Sequence, residues 1–474
     1  MTGLSCTRAP RRPTATRVLF CGGRSFLQYN MQQTDVRLAL AILSSPSEVG
    51  RARRCFQRTA IHSLTDGSQT VAREASWLRV LGASGGQLLL RYVVSRPLTT
   101  HDELLSEARL HGDVWVSEVP EQPSTCVPKL VMALGRLASL NADFVAIGDD
   151  DAWFHPPRLM QDLSVLAQLH TSSRHVLYGY INFNVGWIRN VSREYGYGLY
   201  NVDAFRMWRQ WQWQKTHRRE RRTDDGPFPN AFGFGAVLST SLAAHVSRSP
   251  AVKAYVDHLR TAGPRPKLPP GLRHRPLMCD PPTDASLGWI LTHLHPLPNV
   301  TAVDLTYGSR YVLLHHAWNA SQHAAVLGTR TAVLHKAGDW ERHMRAALCI
   351  STAAGQRRDH APILRCRGAH APIGGCGHMG CQGPRTLIYP GRQCEAHPAC
   401  ATYYNATFAD WTLCVVVGAR RVPRLAQLDS RPWPVCKASE RQVLAACAEG
   451  RLVGAGQKTQ RRSSHKHTRG RIRL

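Results

Sequence analysis

The stretch FVAIGDDDAWFHPPRL (144–159) joins a short apolar run to three aspartates and then to a proline-opened helix. The run DFVAIG (143–148) has the length and character of a buried strand. PPRLMQDLSVLAQLH (156–170) reads as a helix with Pro in its first turn, where a missing N–H costs nothing. Between them Asp149, Asp150 and Asp151 repel one another, and nothing in fold stability asks for them. A hard divalent cation, Mg²⁺ or Mn²⁺, resolves that repulsion and keeps coordination positions for phosphate oxygens. In an extended segment Asp149 and Asp151 face the same side. The plainer alternative is a solvated acidic turn beside the next helix.

The same alternation extends outward from this stretch. VRLALAILSS (36–45), LLLRYVVS (88–95), DVWVSEV (113–119) and HVLYGYI (175–181) have strand character. SPSEVGRARRCFQRTAIHSL (45–64), HDELLSEARLHG (101–112) and STCVPKLVMALGRLASL (124–140) read as helices between them, the second closed by Gly112. Strands alternating with helices predict an α/β fold on a mostly parallel sheet. Ligands of such sheets sit at the carboxyl ends of strands, which is where the aspartates fall.

The chain has 474 residues, 43% hydrophobic and 19% charged, which excludes wholesale disorder and collagen-like or coiled-coil architecture. Lys and Arg outnumber Asp and Glu by 60 to 32, a net charge of +28 that favours anionic partners. A basic leader is expected at 1–35, a catalytic domain at 36–340, a Cys-rich module at 345–450 and a basic, disordered tail at 455–474. Nine of the 14 cysteines lie at or after Cys349, a density typical of a disulfide-stapled module in an oxidising compartment. Cys and His together in CRGAHAPIGGCGHMGC (366–381) keep a structural zinc site as the rival, without paired CxxC spacing. Acceptor triplets for N-glycosylation begin at Asn190, Asn299, Asn319 and Asn405. No segment reaches the ~18 apolar residues of a spanning helix, and the N-terminus is a poor match to a signal peptide.

Five motifs in order resemble the β1,3-glycosyltransferase (galactosyltransferase-like) family over about 36–320: ILSSPSEVGRARRCFQR (42–58), STCVPKLVMAL (124–134), FVAIGDDDAWFHPPRL (144–159), GPFPNAFGFGAVLS (226–239) and PPTDASLGWIL (281–291). The third is the specific one, matching the family's Asp-x-Asp motif. The family's Thr-Trp after the Arg cluster is absent, and Thr283 stands where the family has the first of two acids. Within the family the chain is similar to the protozoan branch that galactosylates phosphoglycans or adds N-acetylglucosamine. The resemblance implies a GT-A-like nucleotide-sugar fold, a UDP-sugar donor, Mn²⁺ or Mg²⁺, and inverting transfer to a glycan acceptor, phosphorylated ones included. It also implies a Golgi or secretory-lumen setting with membrane association.

On that resemblance Asp149 and Asp151 are the metal ligands, with His315 or His316 completing the site. Lys129, Asp149, Asp150, Arg58 and Gly233 are expected at the nucleotide-sugar, with Asp150 alternatively holding its loop and Gly235 giving the backbone close approach. Asp284 is the expected catalytic base, since a single displacement needs a carboxylate to take the acceptor's proton. Asp284 equally reads as an N-cap of the helix that follows. The stretch FRMWRQWQWQKTHRRERRTDD (205–225), with Trp208, Trp211 and Trp213, is either an acceptor site or a solvated basic loop. Two other functions compete: a catalytically inactive glycan-binding relative, and a basic nucleic-acid-binding protein, which lacks any recognisable module signature.

Overall fold

The computed structural model describes residues 15–20, 24–29, 35–65, 77–80, 86–97, 102–167, 175–188, 197–199, 225–231, 235–261, 279, 281–294, 299–305, 311–313, 333–335, 363–368 and 412–417. In chain order the strands are β1 (Ala15–Phe20), β2 (Arg24–Tyr29), β3 (Arg37–Ser44), β4 (Leu78–Arg79), β5 (Gln87–Arg96), β6 (Val114–Pro120), β7 (Phe144–Asp149), β8 (Ala152–Phe154) and β9 (His175–Gly179). They continue as β10 (Ile181–Ile188), β11 (Tyr197–Leu199), β12 (Asp225–Ala231), β13 (Gly235–Ser239), β14 (Val300–Asp304), β15 (Tyr311–Leu313), β16 (Val333–His335), β17 (Ile363–Gly368) and β18 (Thr412–Val417). The helices are α1 (Glu48–Ser63), α2 (Asp102–His111), α3 (Cys126–Ala138), α4 (Pro156–Leu166), α5 (Thr240–Arg248), α6 (Pro250–Thr261) and α7 (Thr283–Trp289). Among the described residues no helix is long and apolar enough to cross a membrane.

The fold is mixed α/β. Strands β6, β5, β3 and β7 lie side by side and parallel. Next to β7 comes β13, antiparallel to both β7 and β9. β14 then pairs parallel with β9 and with β18. The antiparallel β13 departs from the mostly parallel sheet expected. β13 is entered from β12, a strand of the small β10–β11–β12 sheet, and not from a crossover helix of the kind that returns a chain parallel to its neighbour. Beyond β14 the sheet is extended by β18, β17, β2 and β1, so strands from both terminal regions belong to it.

The near-continuous apolar sequence of β3 has a simple cause: both faces of the sheet are covered. Leu38, Leu40 and Ile42 point to one face, where Phe56 and Ile61 of α1 and Leu159 and Leu163 of α4 pack. Ala39, Ala41 and Leu43 point to the other, against Leu130 and Leu134 of α3, Leu242 of α5 and Tyr255 of α6. Each large side chain so buried contributes about 1.5–3 kcal/mol.

Local signals set the helix ends. Ser47 caps α1, its hydroxyl accepting from the Gly50 N–H at 3.1 Å. Gly112 ends α2 with φ 64, a left-handed conformation that glycine adopts without a Cβ penalty. A 3₁₀ turn, Pro123–Thr125, leads into α3, whose first residue Cys126 is joined by a disulfide to Cys279, 153 residues on. Cys55 in α1 is also disulfide-bonded.

The α2 terminus carries a measurable consequence. Burial first, and then the Arg58 charge, push the His111 imidazole down to about 4 from its ordinary value of 6.5. The native state holds His111 neutral where the unfolded chain takes up a proton. Its contribution to stability is therefore full above the ordinary value and is lost as pH falls toward 4. The urea midpoint should fall between about pH 7 and about pH 5, and less so in His111→Gln.

Candidate functional site

From β3 the chain goes to β5 and β6 on one side, then returns to β7 on the other. The carboxyl ends of β3 and β7 therefore flank a topological switch point, where open α/β sheets bind ligands. Leu43 and Asp149 stand opposite in the parallel register, so the Ser44–Ser47 loop and the aspartates emerge side by side.

Asp150 ties these two loops together. One carboxylate oxygen accepts from the Ser44 hydroxyl at 2.7 Å and the other from Arg53 at 2.8 Å. Its backbone N–H donates to the Leu43 carbonyl at 3.1 Å. Gln57 donates to the carbonyls of Asp150 and Ala152, at 3.0 and 2.8 Å. Arg54 donates to the Ser44 hydroxyl and the Ser45 carbonyl, at 2.9 and 2.6 Å, and grips Glu107 through Nε and Nη2 at 2.9 and 2.6 Å. Lys129 reaches the same loop from α3: Nζ donates to the Ser44 carbonyl at 3.1 Å and pairs with Glu121 at 3.5 Å.

Asp150 thus anchors the turn that it forms with Asp151 between β7 and β8, so the strand alternation expected through the three aspartates stops at Asp149. Burial, and then the charges of Asp151, Asp150 and Asp284, hold the Asp149 carboxyl well above the usual carboxylate range; Lys129 acts in the opposite sense. These mutual influences bring Asp149, Asp151, Asp284 and Lys129 into one electrostatic cluster. Asp284 is buried in the first turn of α7, and one of its oxygens accepts from the Ala285 N–H at 2.8 Å. Pro282, not Asp284, occupies the N-cap of α7, which corrects the capping assignment.

Among the described residues no three His, Cys, Asp or Glu side chains converge to hold a metal unaided. Mg²⁺ and similar hard cations use one or two carboxylates and take the rest of their oxygens from water and substrate phosphate. Asp149 and Asp151 fit that pattern in residue type: burial first, and then the neighbouring carboxylates, raise the Asp149 carboxyl, and a bound cation would favour its charged form. His315, His316 and Gly233 lie outside the described residues, as do Trp208, Trp211 and Trp213.

Arg58, expected at the nucleotide-sugar, lies in a buried ionic frame behind the aspartate loop. Its guanidinium is 2% exposed and makes a two-pronged contact with Asp113, at 2.7 and 2.9 Å, with Glu107 at 3.2 Å and the Tyr92 ring at 5.0 Å. Burial alone would lower its pKa, but Asp113 above all raises it. Burial would likewise raise Glu107, but Arg54 and then Arg58 hold it below the usual carboxylate range. Arg58 is part of the structural frame. A Cβ at Gly235 would meet Val333 at 2.8 Å, so its close approach is to the protein's own β16. Ser44, Arg53, Gln57 and Glu121 were not anticipated. The first three lie in ILSSPSEVGRARRCFQR (42–58), which marked the segment without singling them out.

No family model matches the chain, and no curated protein matches it. Solved structures similar to it include mouse xyloside xylosyltransferase 1 in its apo form, 12% identical over 64% of this chain and 99% of that one, with a TM-score of 0.28. Others are HddC from Yersinia pseudotuberculosis (8% identity, 44% and 79% coverage, TM-score 0.20) and a mannose-1-phosphate geranyltransferase from Thermus thermophilus (13%, 59% and 84%, 0.22). At those TM-scores the likenesses carry no argument, and the functional reading rests on the site.

Two arginines of α1 should respond unequally to substitution. Arg58→Ala leaves Asp113 buried without its partner and should cost about 3–5 kcal/mol in urea unfolding. Arg53→Ala should cost less in the same unfolding, because Arg53 is only partly buried.

Proposed function

We propose that the chain is a divalent-metal-dependent, inverting glycosyltransferase that moves galactose or N-acetylglucosamine from a UDP-sugar to a glycan hydroxyl, forming a β1,3 linkage. The observation that carries this reading is the gathering of Asp149, Asp151, Asp284 and Lys129 around the switch point between β3 and β7. Fold stability does not explain a buried acid cluster of this kind; binding of a cation and a diphosphate does.

In this reading Asp149 and Asp151 hold Mn²⁺ or Mg²⁺, which when bound neutralises charge developing on the leaving diphosphate. Lys129, fixed by the Ser44 carbonyl and Glu121, adds a positive charge on the same side. The Ser44–Ser47 loop, fastened by Arg54 and Asp150, forms the wall beside the nucleotide. Asp284 is the base: it takes the proton of the acceptor hydroxyl as that oxygen bonds to the anomeric carbon. The bond from that carbon to the diphosphate oxygen breaks, and UDP leaves with the electron pair. The hydrogen bond from the Ala285 N–H holds the Asp284 carboxylate in a fixed orientation. The secretory lumen and a glycan acceptor, phosphorylated or not, belong to the same proposal. A strongly basic chain suits a phosphorylated acceptor.

UDP release by the purified chain, measured across UDP-sugars with Mn²⁺ or with EDTA, tests the reading. One donor should support metal-dependent turnover, and Asp151→Ala should abolish it. Asp284→Asn should lower kcat by about 10²–10⁴-fold with donor affinity retained. Full turnover in EDTA, or in Asp284→Asn, would contradict the assigned roles.

A further inference from the structure

We infer that the Cys126–Cys279 disulfide is a positioning device of this centre, setting Asp284 against Asp149 and Lys129. The inference deepens the glycosyltransferase reading and rests on it for its kinetic consequence.

One end of the bond is on a fixed frame. Cys126 opens α3, and Lys129 follows three residues later, about one helical turn along. Helix α3 is held by burial of Val127, Leu130, Leu134 and Leu137, and by the Lys129 bonds to the β3 loop. The other end is on a segment that needs fixing. Cys279 stands five residues before Asp284, with Pro281 and Pro282 between them. The prolines restrict the backbone torsions that separate the sulfur from the carboxylate. Helix α7 runs on into a π-helical stretch, Ile290–Leu294, and even together the two are short to persist through their own hydrogen bonds. Its place comes from packing, including Trp289 edge-on to Tyr255 at 5.3 Å, and from the covalent tie before its first turn.

The two ends therefore lie on helices that pack in one core, Leu130 and Leu134 of α3 with Ala285 and Leu287 of α7, and they carry Lys129 and Asp284 there. Asp149 and Asp151 themselves are anchored independently, through β7, Asp150 and Arg53. Opening the bond leaves the diphosphate side intact and loosens the base. A displacement of about 1 Å at a reacting group can cost about 100-fold in rate. The effect belongs to kcat, not to nucleotide affinity.

The test is Cys126→Ala/Cys279→Ala in the full chain, assayed well below its melting temperature. We expect kcat to fall about 10- to 100-fold with UDP affinity in Mn²⁺ changed less than about twofold. Amide exchange should quicken in 279–294 and stay unchanged in 144–154. An unchanged kcat would overturn the inference. So would a loss of UDP affinity in step with kcat, with protection lost throughout, since that marks a general structural role. Should the variant not fold, the folded wild type is reduced by a dithiol, which supplies two electrons and leaves two thiols. Exchange is then read at 279–294 against the α1 segment around Cys55, whose own disulfide opens under the same treatment. Quickening in α1 alone would overturn the inference. Absence of turnover in the oxidised wild type would sink the glycosyltransferase reading alone, and the exchange pattern would still decide the positioning role.

Discussion

Three consecutive carboxylates at the end of a buried strand repel one another, and the low-dielectric surroundings make that repulsion stronger than it is in water. The arrangement around β7 disposes of one of the three: Asp150 is turned back into Ser44 and Arg53, where its charge is matched. Asp149 is held above the usual carboxylate range by its burial first, and then by the charges of Asp151, Asp150 and Asp284. Lys129 offsets part of that excess. A divalent cation with its attendant phosphates would remove it.

The frame that holds this charge in place is itself ionic and buried. Arg54 and Arg58 divide Glu107 between them, and Arg58 also grips Asp113. A buried ion pair is weak as a source of net stability, but removal of one partner is costly. Such a network therefore fixes geometry more than it adds stability. Here it links α1, α2, the start of β6 and the β3 loop, and through Ser44 it reaches Asp150. The carboxylate cluster is thus held from behind by arginines buried among their own partners.

Much of this architecture was legible in the sequence because both faces of the central strands are covered. VRLALAILSS, LLLRYVVS and DFVAIG correspond to β3, β5 and β7 within a residue or two, and PPRLMQDLSVL opens α4 where its prolines indicate. The direction of β13 was not legible, since an apolar run does not record which way its neighbour points. The fate of the α1 arginines was equally hidden. RARRCFQR presents Arg53, Arg54 and Arg58 alike, and only the arrival of Glu107 and Asp113 from 49 to 55 residues away turns Arg58 inward. The Cys126–Cys279 pairing was overshadowed by the Cys-dense C-terminal region, because connectivity does not follow from spacing. The aspartates were conspicuous for the opposite reason: repulsion without structural benefit stands out in any sequence.

The most direct measurement of the central claim is calorimetric titration of UDP into the wild type and into Asp149→Ala/Asp151→Ala, each with Mn²⁺ and with EDTA. The account predicts binding by the wild type in Mn²⁺, at least tenfold weaker binding in EDTA (about 1.4 kcal/mol), and no metal dependence in the variant. UDP binding of equal strength in all four conditions, or none in any, would contradict a cation and diphosphate site at the end of β7.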